Sequence, residues 1–247
     1  MKKIFKKIVQ YYLWFLTKLV LWRHKPEIIA VSGSTNKSTT KEAIKEVLSK
    51  KFNVRANPRS YNTEIGLPLA VLYLESGLSS FSKWFSVLIK GTKIVFFNRD
   101  FPQKLVLEYG IDCPADMNYL LTLAKPKISV LTDVTPQYID NFDDFDKIIE
   151  EYAKLIKALP SDGLAVLNFD DRHLVQIAKE SKAPVVFIGE TEGAHLNFVV
   201  KKQEANLCQF DVKIGTTIQS YEIQRTGTHH IFSFLAALAI EEFYSNR

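Results

Sequence analysis

Short apolar runs alternate with amphipathic stretches along most of the chain. The runs typical of buried strands cover 27–31, 104–108, 127–132, 164–168 and 184–188. Amphipathic segments lie between several of them, including 39–50, whose Thr39 and Glu42 have capping-box spacing, and 145–159. Buried strands separated by helices are typical of a mostly parallel sheet flanked by helices on both faces. We therefore predict an α/β fold.

The pattern changes near the C-terminus. Residues 195–224 contain three short segments in which apolar and polar positions alternate, separated by loops at 203–206 and 215–217. This alternation predicts a small antiparallel sheet appended to the parallel one. Residues 229–244 then carry apolar positions at helical spacing and predict a terminal helix.

A basic, hydrophobic segment precedes the first predicted strand. Residues 4–22 are rich in large apolar and aromatic side chains, but Lys6, Lys7 and Lys18 interrupt the run. Three interpretations remain open: a helix lying on the cytoplasmic face of a membrane, a helix docked on its own protein or a partner, and a membrane span. We expect residues 1–25 to form this helix and residues 26–247 to form the main domain.

The basic excess of the chain belongs to this segment alone. The net charge is +5, yet residues 1–25 hold seven of the 32 basic residues and no acidic one. The remaining residues carry 25 basic and 27 acidic side chains, so they lack the positive surface that nucleic-acid binding requires. Cys113 and Cys208 are too few for a disulfide framework and are expected to be reduced and structural, in a cytoplasmic protein.

The strongest chemical signal lies between the first strand and the first helix of the main domain. The sequence there is GSTNKST, from Gly33 to Thr39. A turn of this kind presents backbone N–H groups and a helix N-terminus to a phosphate. The predicted nucleotide-binding residues of the turn are Gly33, Ser34, Thr35, Asn36, Lys37, Ser38 and Thr39.

Asn36 departs from the usual phosphate-loop pattern, which has glycine before the lysine. If this position is left-handed, asparagine is among the best-tolerated replacements, at a backbone cost of about 1 kcal/mol. Its side chain could also crowd the phosphate. By itself the loop remains compatible with an ordinary Ser/Thr-rich turn that contains a lysine.

Further motifs follow the loop in a fixed order. They are SYNTEIGLP at 60–68, LEYGIDCPADM at 107–117, LTDV at 131–134, ALP at 158–160, LNFDD at 167–171, GTH at 227–229 and LAA at 235–237. Their order and spacing over about residues 27–244 resemble the central domain of the Mur ligases. The NxEIG and LExG stretches resemble the MurF branch in particular.

The resemblance implies an ATP- and Mg²⁺-dependent ligase of peptidoglycan precursor synthesis. In that family ATP phosphorylates a carboxylate of a UDP-MurNAc-peptide, and an amine, D-Ala-D-Ala in the MurF branch, displaces the phosphate. By this resemblance Lys37 and Ser38 hold the phosphates and the first Mg²⁺, and Glu108 is the acidic partner of that metal. Asn62 lies near the phosphates and His229 near the nucleotide.

The match also has departures. Tyr138 and Tyr152 stand where the family has a metal-binding histidine and a carbamylated lysine, and tyrosine is a poor Mg²⁺ ligand. Two interpretations remain open for the acids Asp133, Asp140, Asp143 and Asp144. They are replacement ligands for the metal, or they belong to a solvated acidic loop and helix start. The UDP-sugar and amine domains of the family have no counterpart in these 247 residues.

These departures leave several functions open. The first is a ligase that works with a partner chain supplying the remaining domains, and the second is a degenerate, membrane-tethered nucleotide-binding protein of the same fold. The others are an unrelated phosphate-loop kinase or NTPase, and an interaction module whose loop is vestigial.

Overall fold

The structure is a computed structural model that describes residues 3–58 and 61–246. Ser60, which opens the motif containing Asn62, lies outside the described residues. A nine-stranded sheet forms the centre of the molecule, in the order β2-β3-β1-β4-β5-β6-β7-β8-β9. The strands are β1 (Glu27–Ser32), β2 (Val54–Ala56), β3 (Lys104–Glu108), β4 (Ile128–Leu131), β5 (Leu164–Asn168), β6 (Val185–Gly189), β7 (Leu196–Glu204), β8 (Leu207–Ile214) and β9 (Thr217–Ile223).

Helices cover both faces of this sheet. They are α1 (Lys3–His24), α2 (Lys37–Leu48), α3 (Gly66–Leu72), α4 (Phe81–Phe97), α5 (Asp116–Leu123), α6 (Phe145–Lys157), α7 (Arg172–Ala178) and α8 (Thr228–Ser245). Neighbouring residues of a strand point to opposite faces, so β1 contributes Ala30 to one apolar core and Val31 to the other. One core lies under α1 and α3–α7, and the other lies under α2 and α8. The predicted α/β architecture is confirmed.

Two details of the prediction were wrong. Helix α2 begins at Lys37, directly after Asn36, so Thr39 lies inside the first turn and does not mark its start. Strand β2 was not predicted, because its three residues are too few for a periodic signal. The edge strand nevertheless pairs in parallel with β3.

The three C-terminal strands were predicted correctly, and they extend the main sheet. Strands β7, β8 and β9 pair antiparallel, and β7 also pairs in parallel with β6 through Ile188 and Leu196. Their buried side chains include Phe198, Phe210 and Val212, which contact the core under α8. The antiparallel strands therefore share a core with the parallel part.

The N-terminal segment is a helix docked on the protein itself along one face. Val9, Leu13, Leu16 and Val20 recur at helical spacing on α1 and are buried against α3, α4 and α5. The opposite face is exposed. Among the described residues, no helix has a stretch long and apolar enough to cross a bilayer.

The strand order places three loops side by side. Strand β1 lies between β3 and β4, and all three run in parallel, with Val31 opposite Glu108 and Ser32 opposite Leu131. The carboxyl ends of β1, β3 and β4 therefore meet at one edge of the sheet, which is where open α/β sheets bind ligands.

Candidate functional site

The loop after β1 has a backbone that requires glycine at its first position. Gly33 has φ +127°, and a Cβ there would lie 2.1 Å from the Thr132 hydroxyl and 3.0 Å from the Asp133 carbonyl. Asn36 has φ 59° and ψ 7°, so the left-handed conformation expected for this position is present. Its amide donates to the Thr35 hydroxyl at 3.1 Å and does not cap α2. The N–H groups of the first turn of α2 thus face the loop.

The segment after β4 braces this loop. The Asp133 carboxylate accepts hydrogen bonds from the Thr35 N–H at 2.8 Å and from the Thr35 hydroxyl at 2.6 Å. The Thr132 hydroxyl donates to the Thr35 carbonyl at 2.7 Å, and the Ser34 N–H donates to the Asp133 carbonyl at 3.0 Å. Because both strands belong to one rigid sheet, these contacts fix the loop before any ligand arrives.

Lys37 folds back over the loop. Its ammonium donates to the carbonyls of Gly33 at 2.7 Å and Ser34 at 2.8 Å. Burial lowers the pKa of this ammonium, while the nearby carboxylates of Glu108, Asp133 and Asp112 oppose the shift. The charge therefore lies directly above the turn, where a phosphate would lie against the N–H groups.

Ser38 and Glu108 meet at the side of the loop. The Ser38 hydroxyl donates to Glu108 Oε1 at 2.7 Å. Glu108 is 1% exposed, and its Oε1 also lies 3.1 Å from the ammonium of Lys41, which is 2% exposed. A hydroxyl and a carboxylate are hard oxygen donors of the kind Mg²⁺ accepts together with phosphate oxygens. The two residues predicted for the first metal are therefore adjacent.

A cavity of about 470 Å³ opens over these groups. Its walls include loop residues 34–39 together with Asn62, Glu108, Asp112 and Tyr138. Asn62 is held against β3, because its carbonyl accepts the Gly110 N–H at 3.0 Å. Burial, followed by the charge of Asp116, raises the pKa of Asp112, and Lys37 opposes this shift. The cavity thus has one cationic side and one acidic side.

The place expected for a second metal is occupied by tyrosine. The Tyr152 side chain is buried, hydrogen-bonds the Ser34 side chain, and has a raised pKa because of burial. Lys154 turns away from the cavity and pairs with Glu151. Within the described parts of the chain, no group of three His, Cys, Asp or Glu residues is placed to hold a metal. In the described structure a tyrosine side chain therefore occupies the position at which the family resemblance implies the carbamylated lysine of a second metal site.

The acidic residues considered as replacement ligands have other contacts or lie apart. Asp133 braces the loop, and Asp144 caps α6 by accepting the Lys147 N–H at 2.9 Å. Asp140 and Asp143 are exposed. Of the two cysteines, Cys208 is buried and Cys113 is exposed, and both are free thiols.

His229 lies outside this cavity, at the start of α8. Its ring is tilted against that of His230, with the ring centroids 4.1 Å apart. Helix α8 is joined to α2 by Ser233, whose hydroxyl lies 2.9 Å from the Thr40 hydroxyl and donates to the His229 carbonyl at 2.8 Å. His229 is thus tied to the phosphate loop through α2, without contacting the loop itself.

Sequence reasoning missed Lys41 and Asp112 as parts of the site. Lys41 follows Lys37 by one helical turn, which places both on the same side of α2 and could have signalled the contact with Glu108. Asp112 belongs to the 107–117 motif, but a loop acid four residues beyond a strand gives no signal of its direction. Asn57, whose carbonyl accepts from the Lys41 ammonium at 2.8 Å, follows the unpredicted β2.

Comparison with known proteins places these features in one family. Residues 89–240 match the model of the Mur ligase middle domain. The chain is 26% identical over 230 residues to UDP-N-acetylmuramoyl-tripeptide–D-alanyl-D-alanine ligase of Bacillus subtilis, covering 93% of the chain and 44% of that protein. It is 30% identical over 214 residues to the enzyme of the same name from Mycobacterium tuberculosis, covering 86% of the chain and 37% of that protein.

A solved structure shares the fold. MurF ligase from Thermotoga maritima, crystallised in complex with ADP, superposes with a TM-score of 0.74 at 22% identity, over 96% of this chain and 49% of that one. The chain spans less than half the length of the curated relatives described above.

Proposed function

The chain belongs to the Mur ligase family through its middle domain, and from that premise we propose that it performs the ATP-dependent step of a MurF-like ligase. The proposed substrates are a UDP-MurNAc-peptide, whose carboxylate accepts the γ-phosphoryl group of ATP, and D-Ala-D-Ala, whose amine displaces phosphate from the acyl phosphate. The C–O bond to phosphate breaks as the amide C–N bond forms. The observation that carries this proposal is the convergence of Lys37, Ser38 and Glu108 on one loop.

Each of these groups has a defined task in the proposed reaction. The N–H groups of the loop and the Lys37 ammonium bind the phosphates and stabilise charge on the transferring phosphoryl group. Ser38 and Glu108 would hold one Mg²⁺, which neutralises phosphate charge when bound. Lys37 reaches the phosphates by giving up its bonds to Gly33 and Ser34, which are 2.7 and 2.8 Å long in the structure.

Asn62 and His229 are assigned to the two ends of the nucleotide. Asn62 lines the cavity beside the loop, which supports the proposed contact between its amide and a phosphate oxygen. His229 is tied to α2 from the other side and is assigned to the nucleoside. The neighbouring rings of His229 and His230, with centroids 4.1 Å apart, would offer aromatic surface to a base.

The remaining substrate contacts are assigned to polypeptide outside these residues. The curated relatives are more than twice as long as the matched region. We therefore assign the binding of the UDP-sugar and of the incoming amine to a partner chain or to further sequence. The two described cores include apolar residues from each of the helices α1–α8, so this portion can fold as a unit.

We assign the protein to the cytoplasm, resting on the inner face of the cytoplasmic membrane through residues 1–25. This segment carries seven basic residues and no acidic one. Juxtamembrane basic residues are attracted to anionic lipids, and aromatic residues favour the membrane interface. Such a position suits a reaction that supplies cell-wall precursors.

A second candidate function is nucleotide binding without ligation. The observation that favours it is Tyr152, which is buried against Ser34 where the family resemblance leads us to expect a carbamylated lysine. In this case the loop would bind ADP or ATP with Mg²⁺, and the protein would act through binding alone.

Nucleotide consumption separates the two candidates. ADP release is measured from MgATP with the full chain, before and after addition of UDP-MurNAc-tripeptide and D-Ala-D-Ala. Because the binding of both substrates is assigned to polypeptide outside these residues, we expect weak ADP release or none from the chain alone, and stimulation by the substrates only when that polypeptide is supplied. Lys37→Met abolishes the stimulated release, while Lys50→Met, an exposed lysine beyond the end of α2, retains it. Intact MgADP binding with no stimulation even when that polypeptide is present would favour the second candidate. A folded protein that binds no nucleotide would contradict both.

A further inference from the structure

Helices α1 and α4 together present a single exposed apolar surface, called here the α1–α4 face. Of the seventeen exposed large hydrophobic side chains among the described residues, six lie on α1 and five on α4. Single exposed hydrophobic residues are ordinary, but a contiguous group of this size marks an interaction surface. The sequence pattern indicated a surface role for residues 1–25 and none for the segment that forms α4.

Three contacts hold the two helices side by side along their length. Phe5 packs edge-on against Phe81 with ring centroids 4.7 Å apart, and the Tyr12 hydroxyl lies 2.9 Å from the Thr92 hydroxyl. The Arg23 guanidinium donates to the Val95 carbonyl at 2.5 Å, at the end of α4. The exposed rows of the two helices are therefore neighbours.

The exposed apolar residues form one row on each helix. On α1, Ile8, Phe15 and Trp22 recur every seven residues, opposite the buried row of the same helix. On α4, Phe85 and Phe96 lie on the side next to the one that contacts α1, and Phe81, which packs on Phe5, begins the same row. The two rows thus form a continuous apolar band.

Lysines lie on both sides of this band. Lys7 and Lys18, three turns apart, lie on the side of α1 away from α4, and Lys18 donates to the Thr122 carbonyl of α5 at 3.0 Å. Lys83 and Lys90, two turns apart, lie on the far side of α4. Across α1 and α4 there are five lysine and arginine residues on the first helix and three on the second, with no aspartate or glutamate.

We infer that the α1–α4 face docks flat on an anionic phospholipid bilayer, with the apolar band at the acyl boundary and the lysines at the headgroups. Interfacial helices combine an apolar side with basic flanks in this way. A second copy of the chain is a poor occupant, because α1 and α4 together carry eight basic residues and no acidic one, so two such helix pairs would repel. This inference rests on the tether proposed for residues 1–25 and adds α4 as an equal part of the surface.

Binding to vesicles tests this inference. The full chain is sedimented with phosphatidylcholine vesicles that contain either about 30% phosphatidylglycerol or none. We expect binding only to the anionic vesicles, weakened by salt because the lysines are screened. Replacing Lys83 and Lys90 with glutamine is expected to weaken the partition roughly fivefold for each lysine.

The α4 row separates this inference from the simpler tether. We expect Phe85→Glu/Phe96→Glu, at positions 68% and 57% exposed, to lose vesicle binding at least tenfold. The matched control is Val199→Glu/Ile218→Glu, at positions 53% and 65% exposed on β7 and β9, which should bind as the unaltered chain does.

Three outcomes would overturn the inference. If the α4 variant binds vesicles fully while Phe15→Glu/Trp22→Glu does not, α1 alone forms the tether. Binding that is equal on neutral and anionic vesicles would remove the role of the lysines. Absence of vesicle binding, together with dimers in sedimentation velocity, would show that a second copy covers the face.

MgADP binding measured on the same variants reports separately on the proposed function, because the α1–α4 face contributes no residue to the cavity.

Discussion

Asn36 is the residue at which the phosphate loop departs from the usual pattern, and it adopts a left-handed backbone. Replacing it with glycine removes a side chain from the cavity wall and relieves about 1 kcal/mol of backbone strain. A similar gain in unfolded-chain entropy offsets that relief. We therefore expect Asn36→Gly to leave the unfolding free energy within about 1 kcal/mol and to tighten MgADP binding, measured by calorimetric titration. Weaker binding would show that the Asn36 amide is itself a ligand of the nucleotide.

Gly33 is required at the start of the loop for both its backbone angle and the space around it. The Cβ of Gly33→Ala would lie 2.1 Å from the Thr132 hydroxyl, at φ +127°. We expect a loss of about 2–4 kcal/mol in the free energy of unfolding by urea. Gly215→Ala is the matched control, because Gly215 has φ +60° and open space around it, so its cost should be about 1 kcal/mol. Equal losses for the two variants would contradict the described packing.

Lys41 neutralises Glu108 inside the protein. Removing one partner of a buried ion pair costs about 3–5 kcal/mol, since the other charge is left without compensation. We expect Lys41→Met to destabilise the protein by that amount in urea unfolding, and Lys41→Met/Glu108→Gln to recover most of it. If the double variant is as unstable as the sum of the single variants, the two residues do not interact.

Lys37 gives nucleotide binding a pH dependence. Burial lowers its pKa, so its ammonium loses its proton at a lower pH than an ordinary lysine. The protonated form binds phosphate, so we expect MgADP affinity to be complete below this lowered pKa and to fall as the pH rises through it. Lys37→Arg should retain affinity further into the alkaline range, because a guanidinium remains charged there. Identical pH profiles for the two proteins would rule Lys37 out as the titrating group.

At the scale of elements, α1 belongs to the folded core although it precedes the first strand. Leu13 is fully buried on α1, and replacing a buried leucine with alanine costs about 2–5 kcal/mol. We expect Leu13→Ala to lower the unfolding free energy by that amount, while Phe15→Ala, on the exposed side, changes it by less than about 0.5 kcal/mol. A negligible effect at Leu13 would mean that α1 is detached from the main domain.

The parallel strands other than β2 were predictable because each contains a short apolar run, and the terminal helix was predictable because its apolar residues recur at helical spacing. The start of α2 was predicted two residues late, because the capping-box spacing of Thr39 and Glu42 indicated a start at Thr39. The helix in fact begins directly after Asn36, whose left-handed backbone is determined by the fold and is not visible in the local sequence. The pairing of β7 with β6 was also beyond the local pattern, which describes strand faces and says nothing about neighbours. The division of α1 into a buried and an exposed side became clear only from its contacts with α3, α4 and α5.

At the scale of the molecule, the site depends on the strand order β3-β1-β4. The sequence predicts the loop of Lys37 and Ser38, and the family resemblance adds Glu108, but only the fold brings the Ser38 hydroxyl within 2.7 Å of the Glu108 carboxylate. The same fold places Asp112 on the cavity wall, although its sequence neighbourhood gave no signal, and it also places there Tyr138, which the family resemblance had marked. Contacts between distant segments are the part of a site that a single sequence does not encode locally.

Calorimetric titration of the full chain with MgADP tests the central claim, that residues 33–39 bind the phosphates of a nucleotide. We expect saturable binding at one site per chain, and a roughly 10- to 100-fold weaker affinity for Lys37→Met, which loses a charge-assisted hydrogen bond. Lys50→Met, an exposed lysine beyond the end of the same helix, should bind as the unaltered chain does. A folded protein that gives no binding heat, or equal affinity for Lys37→Met and the unaltered chain, would contradict the account.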